Sequence, residues 1–523
     1  MKRALRSCIS ILLVLLLFLQ TGVIFARAES ERPSSKELQN IAIAILDRKK
    51  AEQGATSADS FFNAVFLQTA GSTAGDWYPF AIGRLGVDVM AEEYLAVLYD
   101  NIEKAYRKDG TFNATKATEY HRVILAILAM GGDPTHVGID RSIDLLKDGV
   151  WNRVDKNGTP SLGKQGVNGY IWGLLAIDSM QYEEPDGATY TRETILSEVL
   201  SAELPTGGWA LSGSVADVDV TAMAIQALAP YRDVRADVKD AIDRALNRLS
   251  ELQDADGGFS AWGRSNAGSV SQVLIALCTL GIDPFTDARF VKNGSTAYDA
   301  MMRFQLQDGG FSDSVGGSYN SRASEQTLCA VTALWRMQNG MRCLYDLRPD
   351  DLGETPKVAF SAFDAKSMAE TRALPTELTL EHRPTVLRLL YQLSATPDVS
   401  GREEAERILL SAKAQIDAII LELERLESEI AAVLYPFDAL NLRDYGEVKA
   451  LYQRYEALSV SNRAFLSDSA AEDLLRAKAQ LQTELRATLI GAGCGLVVLC
   501  LLLYIVFHIR HRRRAQQLPE SDE

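Results

Sequence analysis

Polar residues suited to acid–base or ligand chemistry recur along this chain at nearly constant spacing. The series is Glu119, Asn168, Asp219, Ser269 and Glu325, whose members lie 49, 51, 50 and 56 residues apart. Asp76 approximates the position before this series, and Asp217 lies just before Asp219. If these residues begin equivalent helices of one ring, three or four carboxylates converge on one opening.

Converging carboxylates have a characteristic chemistry. In a partly dry cavity they raise one another's pKa, and one that stays protonated is able to act as a general acid. Aromatic side chains beside them offer walls for a cation or a bulky ligand. The predicted ligand-binding set is therefore Asp76, Trp77, Tyr78, Glu119, Tyr120, Asn168, Tyr170, Trp172, Asp217, Asp219 and Glu325.

The same polar residues also have a purely structural interpretation. Asp, Asn and Ser are preferred helix N-caps, worth about 1 kcal/mol each. A carboxylate in the first turn adds about 0.3–1 kcal/mol through the helix dipole. The sequence leaves capping, ligand binding and catalysis open.

The helices that position these residues are predicted on either side of a repeated turn. A Gly stands two residues before a large aromatic in YRKDGTF, ELPTGGW, QDADGGF and QLQDGGF, which end at Phe112, Trp209, Phe259 and Phe311. An apolar helix is predicted after each turn and an amphipathic one before it. The predicted inner helices are 77–85, 121–130, 170–177, 221–229, 270–280 and 323–337, and the outer ones are 36–49, 92–107, 140–147, 191–202, 236–252 and 296–306.

A repeat of this length predicts a repeat architecture. One hairpin cannot bury its own apolar face, so neighbouring hairpins must stack. Six hairpins with buried inner helices are able to close on themselves. We therefore predict an all-α chain with a closed (α/α)6 toroid over residues 29–345 and polar residues at one mouth.

The Gly-aromatic turns resemble the QW-type repeats of the terpene cyclase and protein prenyltransferase superfamily. The resemblance implies an α/α toroid. The segment DVDVTAMA at 217–224 is similar to the DxDDTA signature of class II terpene cyclases, whose central Asp protonates an alkene or epoxide, and also to inner helices of vitamin B12 carriers. The resemblance makes Asp219 the catalytic candidate.

Several departures weaken the catalytic interpretation. Val220 stands where the signature has its third acidic residue. The resemblance to class II cyclases also implies two toroids that work together, whereas this sequence predicts one. The prenyltransferase zinc pattern and the thioester motif are missing, so no metal or other cofactor is predicted. We expect a non-catalytic module that binds a bulky corrinoid-like or isoprenoid-like ligand and is closed by a partner protein. The alternative is a cyclase-, prenyltransferase- or glycan-active enzyme that uses the mouth carboxylates.

The two ends of the chain predict a single-pass type I membrane protein. Residues 1–28 have the basic start, apolar run and small-residue cleavage site of a signal peptide. Residues 487–507 carry no charge and are followed by arginines, which predicts a transmembrane helix with a cytoplasmic tail at 508–523. Residues 29–486 are then extracytoplasmic.

The region between toroid and membrane segment has two predicted parts. Residues 346–400 contain several prolines and are predicted to be a linker. Residues 401–486 are predicted to form a helical stalk, because they begin with the heptad Leu409, Ala412, Ile416, Ile419, Leu423, Leu426, Ile430 and Val433. The stalk is either a three-helix bundle within the chain or a coiled coil between chains.

Composition excludes some partners. The net charge of −15 argues against nucleic acid binding. Six cysteines in 523 residues do not make a disulfide scaffold. Cys278 and Cys329 are predicted on neighbouring inner helices, as buried thiols or as a pair.

Overall fold

A computed structural model describes residues 32–87, 90–261, 263–350 and 359–515. The predicted signal peptide and the end of the predicted tail, 516–523, lie outside the described residues. The chain divides into two compact units. One holds Met1–Ser367 and Leu387–Arg402, and the other holds Met368–Val386 and Glu403–Glu523.

The first unit is built almost entirely from helices. They are α1 (Ser35–Glu52), α2 (Ala64–Leu67), α3 (Thr73–Leu85), α4 (Ala91–Asp109), α5 (Ala117–Ala129), α6 (Val167–Asp178), α7 (Arg192–Ser201), α8 (Val218–Leu228), α9 (Ala236–Leu252), α10 (Ala267–Thr279), α11 (Ala297–Met302) and α12 (Ser321–Gln338). Shorter turns are a π-helical turn at Lys147–Trp151 and 3-10 turns at Leu162–Gln165 and Ala229–Tyr231. A small antiparallel hairpin pairs β1 (Ser260–Ala261) with β2 (Arg264–Ser265).

Six inner helices form a closed ring. Each packs against the next, and the last packs against the first, in the order α3, α5, α6, α8, α10, α12 and back to α3. The predicted closed all-α toroid is therefore confirmed. The inner helices begin up to one turn earlier than predicted, since their first turns carry polar residues that interrupt the apolar pattern.

The Gly-aromatic turns attach each outer layer to the ring. Trp209, Phe259 and Phe311 are fully buried. The backbone N–H of Trp209 donates to Thr221 Oγ1 at 3.0 Å, and that of Phe311 donates to Ser324 Oγ at 2.9 Å. The glycine of the turn is required, because Gly257 has φ +85° and a Cβ there would meet a backbone oxygen at 2.5 Å.

The predicted third outer helix, 140–147, is wrong. Gly138 and Arg141 have φ +98° and +57°, and Val137 pairs with Ile143 as an antiparallel bridge. The Asp140 carboxylate also accepts from Ser142, which favours a turn over a helix. Helical structure begins only at residue 145 and ends with the Lys147–Trp151 turn.

The predicted linker, 346–400, is also more ordered than expected in its described part. It contains α13 (Ala365–Arg372), a 3-10 turn at Leu380–His382 and α14 (Arg383–Ala395). In the first unit, Tyr391 stacks on Phe360 and its hydroxyl donates to Glu103 of α4 at 3.0 Å. Pro384 does not break α14, since a first-turn proline removes no intrahelical hydrogen bond.

The second unit contains the predicted stalk. Its helices are α15 (Arg402–Leu434), α16 (Tyr445–Ala457), α17 (Val460–Arg463) and α18 (Asp468–Ala515), with a 3-10 turn at Phe437–Ala439. The predicted seam of α15 is buried at Leu409, Ala412, Ile416, Leu423, Leu426 and Ile430. Arg454 of α16 pairs with Glu422 of α15 at 2.8 Å. The seam is thus covered within one chain, as the bundle alternative predicts.

The C-terminal helix continues from the bundle into the predicted membrane segment. Ser469–Arg513 of α18 is long and apolar enough to cross a membrane, and an 18-residue window within it has a mean hydropathy of 2.7. Residues 487–507 are exposed along their whole length.

Candidate functional site

The N-termini of the inner helices show which residues act as caps. Asp217, Asn266 and Asn320 accept hydrogen bonds from the third residue beyond them, at 3.0, 2.8 and 2.9 Å. Asp219, Ser269 and Glu325 lie inside the helices that these residues cap. The capping interpretation therefore holds for Asp217, whereas Asp219 and Glu325 are free for another role.

The polar series divides into two arcs. The paired arc consists of Asp76, Glu119 and Arg122, on α3 and α5. Arg122 Nε lies 2.8 Å from Asp76 Oδ2, and Arg122 Nη1 lies 2.6 Å from Glu119 Oε2. Asp76 Oδ1 also accepts from the Tyr94 hydroxyl and the Gly71 N–H, both at 2.8 Å. Every charge of this arc is compensated within the protein.

Asp76 and Arg122 are a buried ion pair. Burial raises the pKa of Asp76, but its three donors at 2.8 Å oppose that shift, and we assign the ionised form. Burial lowers the pKa of Arg122, but the Asp76 and Glu119 carboxylates outweigh it and the net shift is upward. The pair joins two neighbouring inner helices and stabilises the ring.

The open arc consists of Asn168, Asp219, Ser269 and Glu325, on α6, α8, α10 and α12. Asn168 Oδ1, Asp219 Oδ1 and Ser269 Oγ are buried and have no hydrogen-bond partner in the described part of the chain. The side chain of Glu325 is buried as well, with 4% of its surface exposed. Three consecutive inner helices thus present unmatched buried polar atoms, each of which costs about 1–3 kcal/mol to bury.

The two carboxyl groups of the open arc are held toward their protonated forms. Burial raises the pKa of Asp219; the nearby Ser269 hydroxyl opposes the rise, and the charge of Asp217 adds to it. Asp219 and Ser269 are close, but their geometry does not make a hydrogen bond. Burial raises the pKa of Glu325 to about 8, despite the charges of Arg322, Lys49 and Arg122. Glu325 is therefore largely a neutral acid at pH 7.

Aromatic side chains fill the hollow below the open arc. Trp77 of α3 and Trp172 of α6 come from helices that are not neighbours in the ring, yet their rings lie 5.3 Å apart. Trp172 follows Asn168 by one turn, so both lie on the same face of α6. Tyr345 contacts Trp172 at 5.7 Å and stacks on Phe80 at 5.3 Å. The open arc lies on the hollow side of the ring at α6.

The predicted tyrosines contribute to packing between elements of the toroid. The Tyr120 hydroxyl accepts from the Phe112 N–H at 2.9 Å and bonds to Thr111, which commits it to a turn. Tyr170 packs near Tyr190, outside the ring. Tyr78 is fully buried and donates to the Ser321 backbone oxygen at 3.1 Å. None of the three has its hydroxyl among the groups of the open arc.

The opposite opening of the toroid is crossed by residues 341–350, which we name the crosspiece. Arg84 of α3 donates to the backbone oxygens of Cys343 and Asp346 at 2.9 and 2.7 Å. At the end of α6, two helices further round the ring, the Leu347 N–H donates to the Ser179 oxygen at 2.8 Å. The crosspiece therefore spans the opening from α3 to the end of α6.

Two cavities lie beside the crosspiece. The larger, of about 610 Å³, is walled by Tyr182, Tyr231 and Tyr345 and bordered by Arg192 and Arg348. The smaller, of about 420 Å³, lies between the C-terminal ends of α3, α5 and α12. None of the predicted ligand-binding residues lines either cavity. Cys343 lines the larger cavity, and Cys278, Cys329 and Cys343 are free thiols.

Sequence reasoning missed the arginines that organise both openings. Arg84, Arg122 and Arg336 are buried, with exposed fractions of 7%, 4% and 3%. Arg84 and Arg122 are each the only Asp, Glu, Lys or Arg in the predicted inner helices 77–85 and 121–130, and Arg336 stands alone in the apolar second half of 323–337. That isolation was the available signal, because a charge in a buried helix requires a partner.

No cluster of three metal-binding side chains occurs among the residues that the structure describes. The family model of the prenyltransferase alpha-alpha toroid domain matches residues 150–360. Searches of curated proteins and of solved structures returned no match.

Proposed function

We propose that this α/α toroid of the prenyltransferase and terpene cyclase type binds a bulky ligand at its open arc without transforming it. The supporting observation is the row of unmatched buried polar atoms on three consecutive inner helices, next to the buried carboxyl group of Glu325. A fold stabilised by only a few kcal/mol does not retain several such groups without a compensating role. Ligand groups would supply the missing hydrogen bonds.

The chemistry of the arc restricts the ligand. Asn168 Oδ1 and Asp219 Oδ1 accept hydrogen bonds, so the ligand presents hydroxyl or amide N–H donors to them. Trp77 and Trp172 lie below the arc and suit an apolar or ring-shaped body. Corrinoids with their amide side chains and isoprenoid alcohols both meet this description. A partner protein that covers the mouth remains part of the proposal.

Thermal unfolding of the full chain in detergent tests the binding proposal. Cobalamin, farnesol and maltotriose are added separately, because they represent corrinoids, isoprenoid alcohols and glycans. Binding raises the melting temperature in proportion to occupancy. We expect a rise with cobalamin or farnesol, and its loss in Asn168→Leu and Asp219→Leu.

The control for this experiment is Asn266→Asp, which keeps a capping oxygen at the same mouth. It should retain the wild-type response to the ligand. A response that survives Asn168→Leu and Asp219→Leu would place the ligand elsewhere. No response to any of the three probes would contradict binding of these ligand classes.

The proposal includes an extracytoplasmic position for the toroid. The basic and apolar start of the chain, the apolar part of α18 and the arginines after it support a type I arrangement. A protease added to intact cells should degrade residues 29–486 and spare an epitope placed after Glu523. Protection of the toroid would contradict this orientation.

A second candidate function is acid catalysis at the same mouth. It is favoured by the Glu325 carboxyl, which is buried and largely protonated at neutral pH. Asp219, the residue singled out by the resemblance, also has a raised pKa. Incubation with an isoprenoid polyene should then give an isomer of unchanged mass and altered retention time. Glu325→Gln or Asp219→Asn should abolish that product while the protein stays folded.

A further inference from the structure

The end of the toroid opposite the open arc carries an unusual concentration of positive charge. The smaller cavity is lined by Arg84, Arg336 and Arg348, against which its lining offers one carboxylate, Asp350. Arg336 pairs with Asp350 at 2.7 Å, and Arg348 pairs with Asp346 at 2.6 Å. Arg84 forms an ion pair with neither of these carboxylates.

Arg84 is a buried cation that forms no ion pair among the described residues. Its side chain is mostly enclosed, and among the described residues no carboxylate lies within ion-pair distance of it. Its Nη2 donates to two backbone oxygens of the crosspiece, while its Nε has no partner among the described groups. Burial and then the charge of Arg336 lower the pKa of Arg84 to about 10, although the charges of Asp350 and Asp346 oppose this shift. An unpaired buried charge is costly, and an anion beside it removes that cost.

A second unmatched donor belongs to the same cavity. Trp335 lines it, is 8% exposed, and has an indole N–H that finds no acceptor in the described part of the chain. The indole nitrogen of tryptophan is able only to donate. Arg84 Nε and Trp335 Nε1 therefore both require an acceptor that the described residues do not provide.

We infer that the cavity beside Arg84, Arg336 and Trp335 is a binding site for a small oxyanion, a phosphate or carboxylate group. The anion would accept from Arg84 Nε and Trp335 Nε1 and compensate the charge of Arg84. Both donor atoms are enclosed, so the anion reaches them only if the lining of the cavity rearranges locally. This site is separate from the open arc, and neither proposal depends on the other.

Inorganic phosphate is the probe, with thermal unfolding of the full chain in detergent as the readout. Phosphate at about a hundredfold above its dissociation constant should raise the melting temperature by roughly 5 °C. Potassium chloride of equal ionic strength should not. Acetate serves as a second arm, and a rise with acetate alone would assign the site to carboxylates.

Two variants locate the site. Trp335→Phe keeps the aromatic packing and removes one donor, so phosphate should bind about tenfold more weakly. Arg84→Lys keeps the positive charge and removes Nε, and should weaken binding as well. The ligand-induced shift is compared with each variant's own ligand-free melting temperature, so a loss of stability does not obscure the result.

Trp151→Phe is the matched control, because Trp151 is equally buried but lies in the outer layer, away from the cavity. It should retain the full response to phosphate. Equal shifts with phosphate and chloride would overturn the inference. So would a phosphate response that Trp335→Phe and Arg84→Lys leave unchanged.

Discussion

The two arcs of the mouth are built from equivalent positions of one repeat, yet they differ in electrostatics. In the paired arc, Arg122 neutralises Asp76 and Glu119 at 2.8 and 2.6 Å. In the open arc, Asn168, Asp219 and Ser269 each keep a buried polar atom unmatched among the described residues. A position in the repeat therefore does not determine a residue's role. The role depends on whether a neighbouring helix supplies a counter-charge.

The two arcs also differ in their effect on the stability of the fold. The paired arc lies where α3 and α5 meet, and its ion pair joins two helices of the ring. The open arc contributes unmatched polar groups, which subtract from stability. Substitutions in the two arcs should consequently have opposite effects on unfolding.

The largest effect is expected from Asp76→Asn. It leaves the buried Arg122 guanidinium with only the more exposed Glu119, and should lower the free energy of unfolding by about 3–5 kcal/mol. Urea unfolding followed by circular dichroism measures this loss. Asp219→Asn is the control from the open arc and should change stability by less than about 1 kcal/mol.

Equal losses in these two variants would break the distinction between the arcs. The double variant Asp76→Leu with Arg122→Met sharpens it. Replacing both charges by apolar groups should recover much of the lost stability, because no charge remains unpaired.

The sequence predicted the ring of helices better than it predicted the ion pairs between side chains of that ring. Repeated turns and apolar inner helices carry a strong periodic signal, so the six inner helices and their closure were predictable. The partner of Asp76 was not, because Arg122 lies 46 positions away and only the ring brings them together. The crosspiece was unpredictable for the same reason, since its contacts with Arg84 and Ser179 depend on tertiary structure.

Two other failures have local causes. The third outer helix was predicted from its apolar pattern, but left-handed backbone at Gly138 and Arg141 overrides that pattern. The aromatic set was chosen by proximity in sequence, which brought in Tyr120 and Tyr170. Only Trp77 and Trp172 of that set contact each other across the hollow. Periodicity alone does not distinguish the two sides of a helix that is buried all round, so the side chains that face the hollow could not be selected from the sequence.

The second largest effect should be a pH dependence caused by Glu325. Its pKa is about 8 in the folded state and near 4.5 when unperturbed. The folded state therefore holds a proton that the unfolded state releases between these values. The stability contributed by this group is present in full below pH 4.5 and is lost as the pH rises through 8. The slope is at most about 1.4 kcal/mol per pH unit.

Glu325→Gln provides the test of this assignment. The variant cannot titrate, so the fall in stability between pH 5 and 8 should be reduced by the contribution of one group. Glu119→Gln in the paired arc should leave that pH dependence in place. An unchanged pH profile in Glu325→Gln would show that this carboxyl group is not held protonated by the fold.

A smaller effect should distinguish the cap from its neighbour on α8. Asp217→Ala removes the oxygen that accepts from the Val220 N–H, and should cost about 1 kcal/mol. Asp219→Ala removes no hydrogen bond that the described structure contains, and should cost less or nothing. Thermal unfolding of the two variants side by side measures the difference. A larger loss in Asp219→Ala would mean that Asp219 supports the fold.

The smallest effect, and the one of opposite sign, is expected from Ser269→Ala. The Ser269 hydroxyl is fully buried and has no partner among the described residues, so its removal should leave stability unchanged or raise it by up to about 1 kcal/mol. Ser324→Ala on α12 is the matched control, because that hydroxyl accepts from the Phe311 N–H at 2.9 Å and its loss should destabilise. If Ser269→Ala destabilises as much as Ser324→Ala, then an ordered water or Asp219 already satisfies the hydroxyl. The open arc would in that case be a closed hydrogen-bond network like the paired one, and the case for a ligand at this mouth would be lost.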